Sequence, residues 1–97
     1  MTSIIKKSEG VLPWTVDSLD IVPAERGIYV IRNLPTQNGI VYIDYTENLQ
    51  EELKQQWETK QIPDAVWFDW YQVGTKAYGE ETLKTWIEKY SPKYNLG

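Results

Sequence analysis

The sequence predicts a small α/β (α+β) domain: a three-stranded sheet that opens with an antiparallel N-terminal hairpin and is flanked by helices. Three observations predict it. Tyr29-Val30-Ile31-Arg32 and Ile40 to Tyr45 are β-rich runs on either side of an Asn38-Gly39 turn signal, the pattern of a hairpin. Leu49, Leu53 and Trp57 recur every four residues, the spacing of a buried helical stripe. Ala65 to Val73 carries large apolar groups on both alternations, as a central strand covered on both faces does, and a second helical stripe of Leu83, Trp86, Ile87 and Tyr90 follows it.

The elements follow in order. Residues 1–13 are polar and end in Leu12-Pro13, which predicts a flexible lead-in. Trp14 to Pro23, with Val16, Leu19, Ile21 and Val22, reads as a turn or short helical fragment over one edge of the sheet, and Pro23 to Gly27 as a turn. After the hairpin, Thr46 is placed to cap the first long helix, with Glu47 in its first turn where a negative charge suits the dipole. Gln61-Ile62-Pro63-Asp64 ends that helix. The second is expected from near Gly79-Glu80-Glu81 until Pro92 stops it, leaving Lys93 to Leu96 as a tail. With no repeat, low-complexity tract or linker, residues 1–97 read as one domain.

Composition narrows the chemistry. Ninety-seven residues form a modest core, so five Trp, seven Tyr and one Phe supply much of its bulk. The absence of cysteine excludes disulfides and thiolate metal sites. The absence of histidine removes the commonest general base and the commonest transition-metal ligand. Hydrolysis would have to rest on carboxylates, tyrosines, lysines or a carboxylate-held hard cation such as magnesium. A net charge of −4 and only two arginines, Arg26 and Arg32, disfavour binding to a phosphate backbone. No apolar run approaches the roughly 18 residues of a membrane span, and Met1 to Gly10 lacks the apolar stretch of a secretory signal, so a cytoplasmic location is expected.

Three groups of residues carry a resemblance. Pro23 leads into Gly27-Ile28-Tyr29; Tyr42-Ile43 is followed by Asn48-Leu49; Ile87 is followed five residues later by Pro92-Lys93-Tyr94-Asn95. In this order they resemble the GIY-YIG nuclease superfamily over about Ile21 to Leu96, and the last group resembles the end of the nuclease domain of excision-repair endonucleases. The resemblance implies the same order of hairpin, helix, strand and helix. For active members it implies two tyrosines around a shared site, one assisting deprotonation of the attacking water. It further implies an arginine ten residues past the second tyrosine, a glutamate on the later helix holding one divalent cation, and a supporting asparagine. The tyrosines match Tyr29 and Tyr42, and the asparagine matches Asn95.

The other matched positions depart. The arginine position is Glu52, the glutamate position, nine residues before Pro92, is Leu83, and the glycine closing the second motif is Asp44. Phosphodiester cleavage builds negative charge around phosphorus, which positive groups stabilise. At an effective dielectric of ~20, two like charges ~5 Å apart repel by about 3 kcal/mol, roughly two orders of magnitude in rate. Asp44, Glu47, Glu51 and Glu52 read as a solvated acidic face, and Lys84, Lys89 and Lys93 as the best basic patch. Leu83 belongs to the core stripe of its helix, the tyrosines have a plain packing role, and Asn95 suits a tie between tail and sheet.

The leading expectation is therefore a GIY-YIG-like domain without nuclease activity that serves as a binding or regulatory module, with a protein partner and no cofactor. The alternative is a divergent endonuclease using magnesium or manganese, with Glu80 or Glu81 on the metal and Arg32 or Lys54 as the cation. Glu80 sits one turn before Leu83, about 4.5 Å along the axis. Arg32 is three residues beyond Tyr29 on one strand and faces the other way. DNA binding is expected only with that activity or through a local basic patch. A third reading is an acidic module that mimics DNA or caps a basic partner.

Overall fold

The computed structural model describes residues 4–95, so Met1 to Ser3 of the expected lead-in and Leu96 of the expected tail lie outside it. The described elements are β1 (Ile4–Lys7), β2 (Leu12–Pro13), α1 (Val16–Asp20), β3 (Gly27–Arg32), β4 (Ile40–Thr46), α2 (Leu49–Thr59), β5 (Trp67–Val73) and α3 (Lys76–Tyr90). One antiparallel sheet of five strands runs in the order β1-β5-β3-β4, with β2 also paired to β5. The hairpin and its flanking helices are as expected; the strand count is five, not three.

The two additional strands come from the expected lead-in. Ile4 to Trp14 runs antiparallel along β5, pairing Ile4 with Val73, Lys7 with Tyr71 and Leu12 with Phe68, and Trp14 donates its N–H to the Val66 carbonyl at 2.9 Å. Polar side chains concealed these strands because the segment lies at the sheet edge, where one side of each residue meets solvent. Between β1 and β2 the chain leaves the ladder and buried Ser8 bridges the gap. Its N–H donates to the Trp70 carbonyl at 3.0 Å, and its Oγ accepts the Trp70 N–H at 3.2 Å. β5 is thus an interior strand.

The two faces of the sheet are covered differently. Leu19, Val22, Leu49 and Leu53 of the α1–α2 region pack with Tyr29, Ile31, Phe68 and Trp70 on one face. Tyr78, Leu83, Trp86 and Tyr90 of α3 pack with Ile28, Val30, Ile43 and Val73 on the other. Phe68 and Trp70 are therefore core residues.

Capping differs from expectation in two places. Asn48, not Thr46, caps α2 by accepting the Glu51 N–H at 3.0 Å, while the Thr46 hydroxyl accepts the Asn48 N–H at 3.2 Å. Thr75 caps α3 by accepting the Tyr78 N–H at 3.1 Å, so that helix begins before Gly79. Gly79 is interior because a Cβ there would lie 2.5 Å from the Tyr45 ring. The β3–β4 connection is longer than a two-residue turn and closes with a 3-10 turn over Gln37–Gly39.

Gly27, the first residue of β3, has no room for a side chain. A Cβ would overlap the Tyr71 carbonyl oxygen and lie 2.6 Å from Leu49 Cδ1. Gly27→Ala is expected to lower unfolding free energy in urea by about 1–3 kcal/mol, because backbone and buried leucine must both shift.

Candidate functional site

Tyr29 and Tyr42 project from adjacent strands onto the face covered by α2. The register pairs Tyr29 with Asp44 and Ile31 with Tyr42, so the alternation of β4 places Tyr42 and Asp44 on the same side as Tyr29. The tyrosine ring centroids are 6.0 Å apart at 49°. Tyr29 is fully buried and Tyr42 is partly buried.

Both hydroxyls donate to carboxylates. Tyr29 Oη donates to Glu52 Oε2 at 3.0 Å, and Tyr42 Oη donates to Asp44 Oδ2 at 2.8 Å. Glu52 reaches the cluster because Leu49 and Leu53 anchor the same side of α2 in the core. Gln56, one turn further on, donates its Nε2 to both Tyr29 Oη and Glu52 Oε2 at 3.4 Å. Its role was not read from the sequence; the four-residue spacing from Glu52 was the available signal. Among the described residues, no lysine or arginine is a hydrogen-bond or ion-pair partner of these side chains.

The two tyrosines are held protonated. Burial raises the Tyr29 pKa far above the usual phenol value, and nearby Tyr42, Asp44 and Glu52 push it in the same direction. Burial followed by the hydrogen bond to Asp44 raises that of Tyr42. A phenol in this state donates a hydrogen bond and does not act as a base at neutral pH.

The cations nearest in sequence are engaged elsewhere. Arg32 lies on the opposite face and pairs with Asp69 at 2.8 Å. Lys54 pairs with Asp20 at 2.9 Å, and Arg26 donates to the Gly74 carbonyl at 2.9 Å beside Glu47. In the C-terminal patch, Lys93 pairs with Asp64 at 3.0 Å, and Lys89 sits over the Tyr90 ring.

Asn95 holds the tail to the free edge of β4. Its Nδ2 donates to the Ile43 carbonyl at 2.8 Å, and its Oδ1 accepts the Ile43 N–H at 2.9 Å. One side chain thereby satisfies both backbone groups that Ile43 turns outward. Leu83 packs beside the Ile28, Val30 and Ile43 cluster, whereas Glu80 and Glu81 are exposed on α3. Among the described residues, no group of three or more Asp or Glu side chains is arranged to hold a metal ion.

With this geometry described, the solved structures become informative. The GIY-YIG N-terminal endonuclease domain of UvrC from Thermotoga maritima, as a point mutant bound to its catalytic divalent cation, superposes with a TM-score of 0.70. It shares 20% identity over 80% of this chain and 90% of that one. The same domain bound to magnesium gives 0.68 at 21% identity, over 80% and 91% of the two chains. The fold is GIY-YIG-like. No protein-family model matches the sequence, and no curated protein does. At this level of identity the likeness extends to the fold, and function rests on the side chains that occupy it. Among the described residues, no helix of this GIY-YIG-like chain is long and apolar enough to cross a membrane.

The tyrosine environments define an alkaline limit. Unfolded tyrosines ionise near pH 10. In the folded chain burial keeps Tyr29, Tyr42 and Tyr71 protonated well above that value. Below about pH 10 both states carry these protons and the stabilisation is fully present. Above it the unfolded chain loses protons first, so stability falls as pH rises. Phenolate absorbance followed with circular dichroism is expected to show these tyrosines ionising together with unfolding; their ionisation in the still-folded chain would contradict the assignment.

Proposed function

We propose that this GIY-YIG-like domain has no nuclease activity and is a binding or regulatory module for a protein partner. The observation that carries the reading is the Tyr29–Glu52 hydrogen bond. At the matched position where active relatives are expected to present an arginine, α2 presents a carboxylate already engaged by the tyrosine. A phosphodiester entering there would meet Glu52 and Asp44 with no opposing lysine or arginine among the described residues, and the developing charge of its transition state would be repelled.

A metal does not repair this arrangement. The UvrC domain is bound to its catalytic divalent cation. Here the residue at the position matched to the family's metal-holding glutamate is Leu83, whose side chain supplies no oxygen to a hard cation and packs into an apolar cluster. Glu80 and Glu81 are exposed and join no metal-binding group among the described residues. The residues present do not fit a divalent cation at that position, and no hydrolytic step is assigned.

The carboxylates of Asp44 and Glu52 at the tyrosine cluster, with exposed Glu51 beside Glu52 on α2, favour a partner with a basic surface over nucleic acid. Purified protein incubated with magnesium or manganese and either plasmid or branched DNA is expected to produce no nicks. Cleavage that disappears in Tyr42→Phe would overturn the reading. Binding to a protein partner is expected to weaken steeply as salt increases, which a pull-down at two ionic strengths measures.

A further inference from the structure

The α3 face of the sheet, away from Tyr29 and Tyr42, holds a buried guanidinium whose hydrogen-bonding capacity is not spent. Arg32 is 9% exposed. Its Nε donates to Asp69 Oδ1 at 2.8 Å, its Nη2 to Asp69 Oδ2 at 3.1 Å, and its Nη1 to the Thr36 carbonyl at 3.0 Å. The Tyr71 hydroxyl also donates to Asp69. A guanidinium has five N–H groups. These contacts leave one on each Nη nitrogen without an acceptor among the described residues.

Arg32 lines a surface pocket of about 160 Å³ together with Tyr71, Trp86, Tyr90, Ile40 and Gln37. Tyr71 and Trp86 meet edge to face, with centroids 5.0 Å apart, which fixes that aromatic wall. The Lys89 ammonium, which is not itself part of the lining, lies 5.2 Å from the Tyr90 ring centroid and so adds positive charge near the pocket. Arg32 and Asp69 neutralise one another, so what the guanidinium adds to this pocket is its unused N–H donors, with the Lys89 charge nearby.

Stability alone gives little reason for this arrangement. Desolvating an ion pair is costly, and apolar residues of similar volume are often at least as stable. A small core gains little from retaining a guanidinium with two unused donors. Paired N–H groups on a planar fork match the two oxygens of a carboxylate, while aromatic walls suit a flat body. The volume is below the roughly 300 Å³ at which drug-sized pockets begin, which limits the occupant to one small acid or one terminal residue.

We propose that this pocket binds a small aromatic carboxylate, with its oxygens on the Nη–H groups of Arg32 and its ring against Trp86 and Tyr90. The ligand is either a free acid or the C-terminal carboxylate of a peptide ending in an aromatic residue. The site is separate from the Tyr29–Glu52 cluster and does not depend on the fate of nuclease activity.

The test is a nitrogen-15 NMR titration of the full chain with benzoate and with its neutral analogue benzamide. Parallel titrations use a short peptide ending in phenylalanine with a free or an amidated terminus. Benzoate is expected to shift the Arg32 Nε–H and Trp86 indole N–H signals and to bind at least tenfold more tightly than benzamide. Lys89→Glu, an exposed substitution, is expected to weaken benzoate several-fold. Arg32→Lys, which keeps a positive charge against Asp69, is expected to weaken it at least tenfold. Stronger binding by the free-terminus peptide than by benzoate selects the peptide source, and the reverse order selects the free acid. Absence of benzoate-dependent shifts, equal binding of benzoate and benzamide, or unchanged binding in Lys89→Glu overturns the proposal. The last two comparisons decide it even if Arg32→Lys does not fold.

Discussion

Tyr29 sets the constraint on which the candidate site depends. It occupies an interior strand and is fully buried, yet its ring ends in a hydroxyl that needs an acceptor. Glu52 supplies that acceptor from α2, and Gln56 braces the contact. The helix comes within reach because Leu49 and Leu53 seat it on the same face of the sheet. The polar cluster and the apolar packing are therefore one construction. Removing the carboxylate would leave a buried phenol unpaired, so Glu52 has a structural role that an exposed acidic residue would lack.

The same contact governs the electrostatics of the face. Each of the two tyrosines donates to a carboxylate, and among the described residues no lysine or arginine pairs with this cluster. In an active phosphodiesterase the corresponding region must present positive charge to a transition state more anionic than its substrate. Here the positive groups are distributed elsewhere: Arg32 beneath α3, Lys54 against Asp20, and Arg26 beside Glu47. A shared fold does not fix the chemistry of a site, because strand register and helix packing do not require any particular sign of charge at position 52.

The sheet edges show how this framework is held. At one edge Asn95 satisfies Ile43 with a pair of hydrogen bonds, so the tail substitutes for a further strand. At the other, the segment from Ile4 to Trp14 covers β5, and Ser8 replaces a missing ladder contact with its hydroxyl. β5 is interior as a result, β3 lies between it and β4, and these two strands carry Tyr29, Arg32, Phe68, Asp69 and Trp70.

The sequence by itself determined the hairpin, the α2 stripe, the aromatic strand and a carboxylate at position 52, because each is written in local spacing or residue identity. Two-residue alternation placed Arg32 opposite Tyr29, and four-residue spacing placed Leu49 and Leu53 in the core. Only the tertiary structure decided that residues 4–13 join the sheet, since an edge segment needs few apolar side chains and its pairing depends on a strand far along the chain, as Ile4 with Val73 and Leu12 with Phe68. It also decided that Gln56 reaches Tyr29 and that Arg32 finds Asp69. Those contacts join residues far apart in the chain, and no local pattern specifies which distant donor and acceptor will share a buried space.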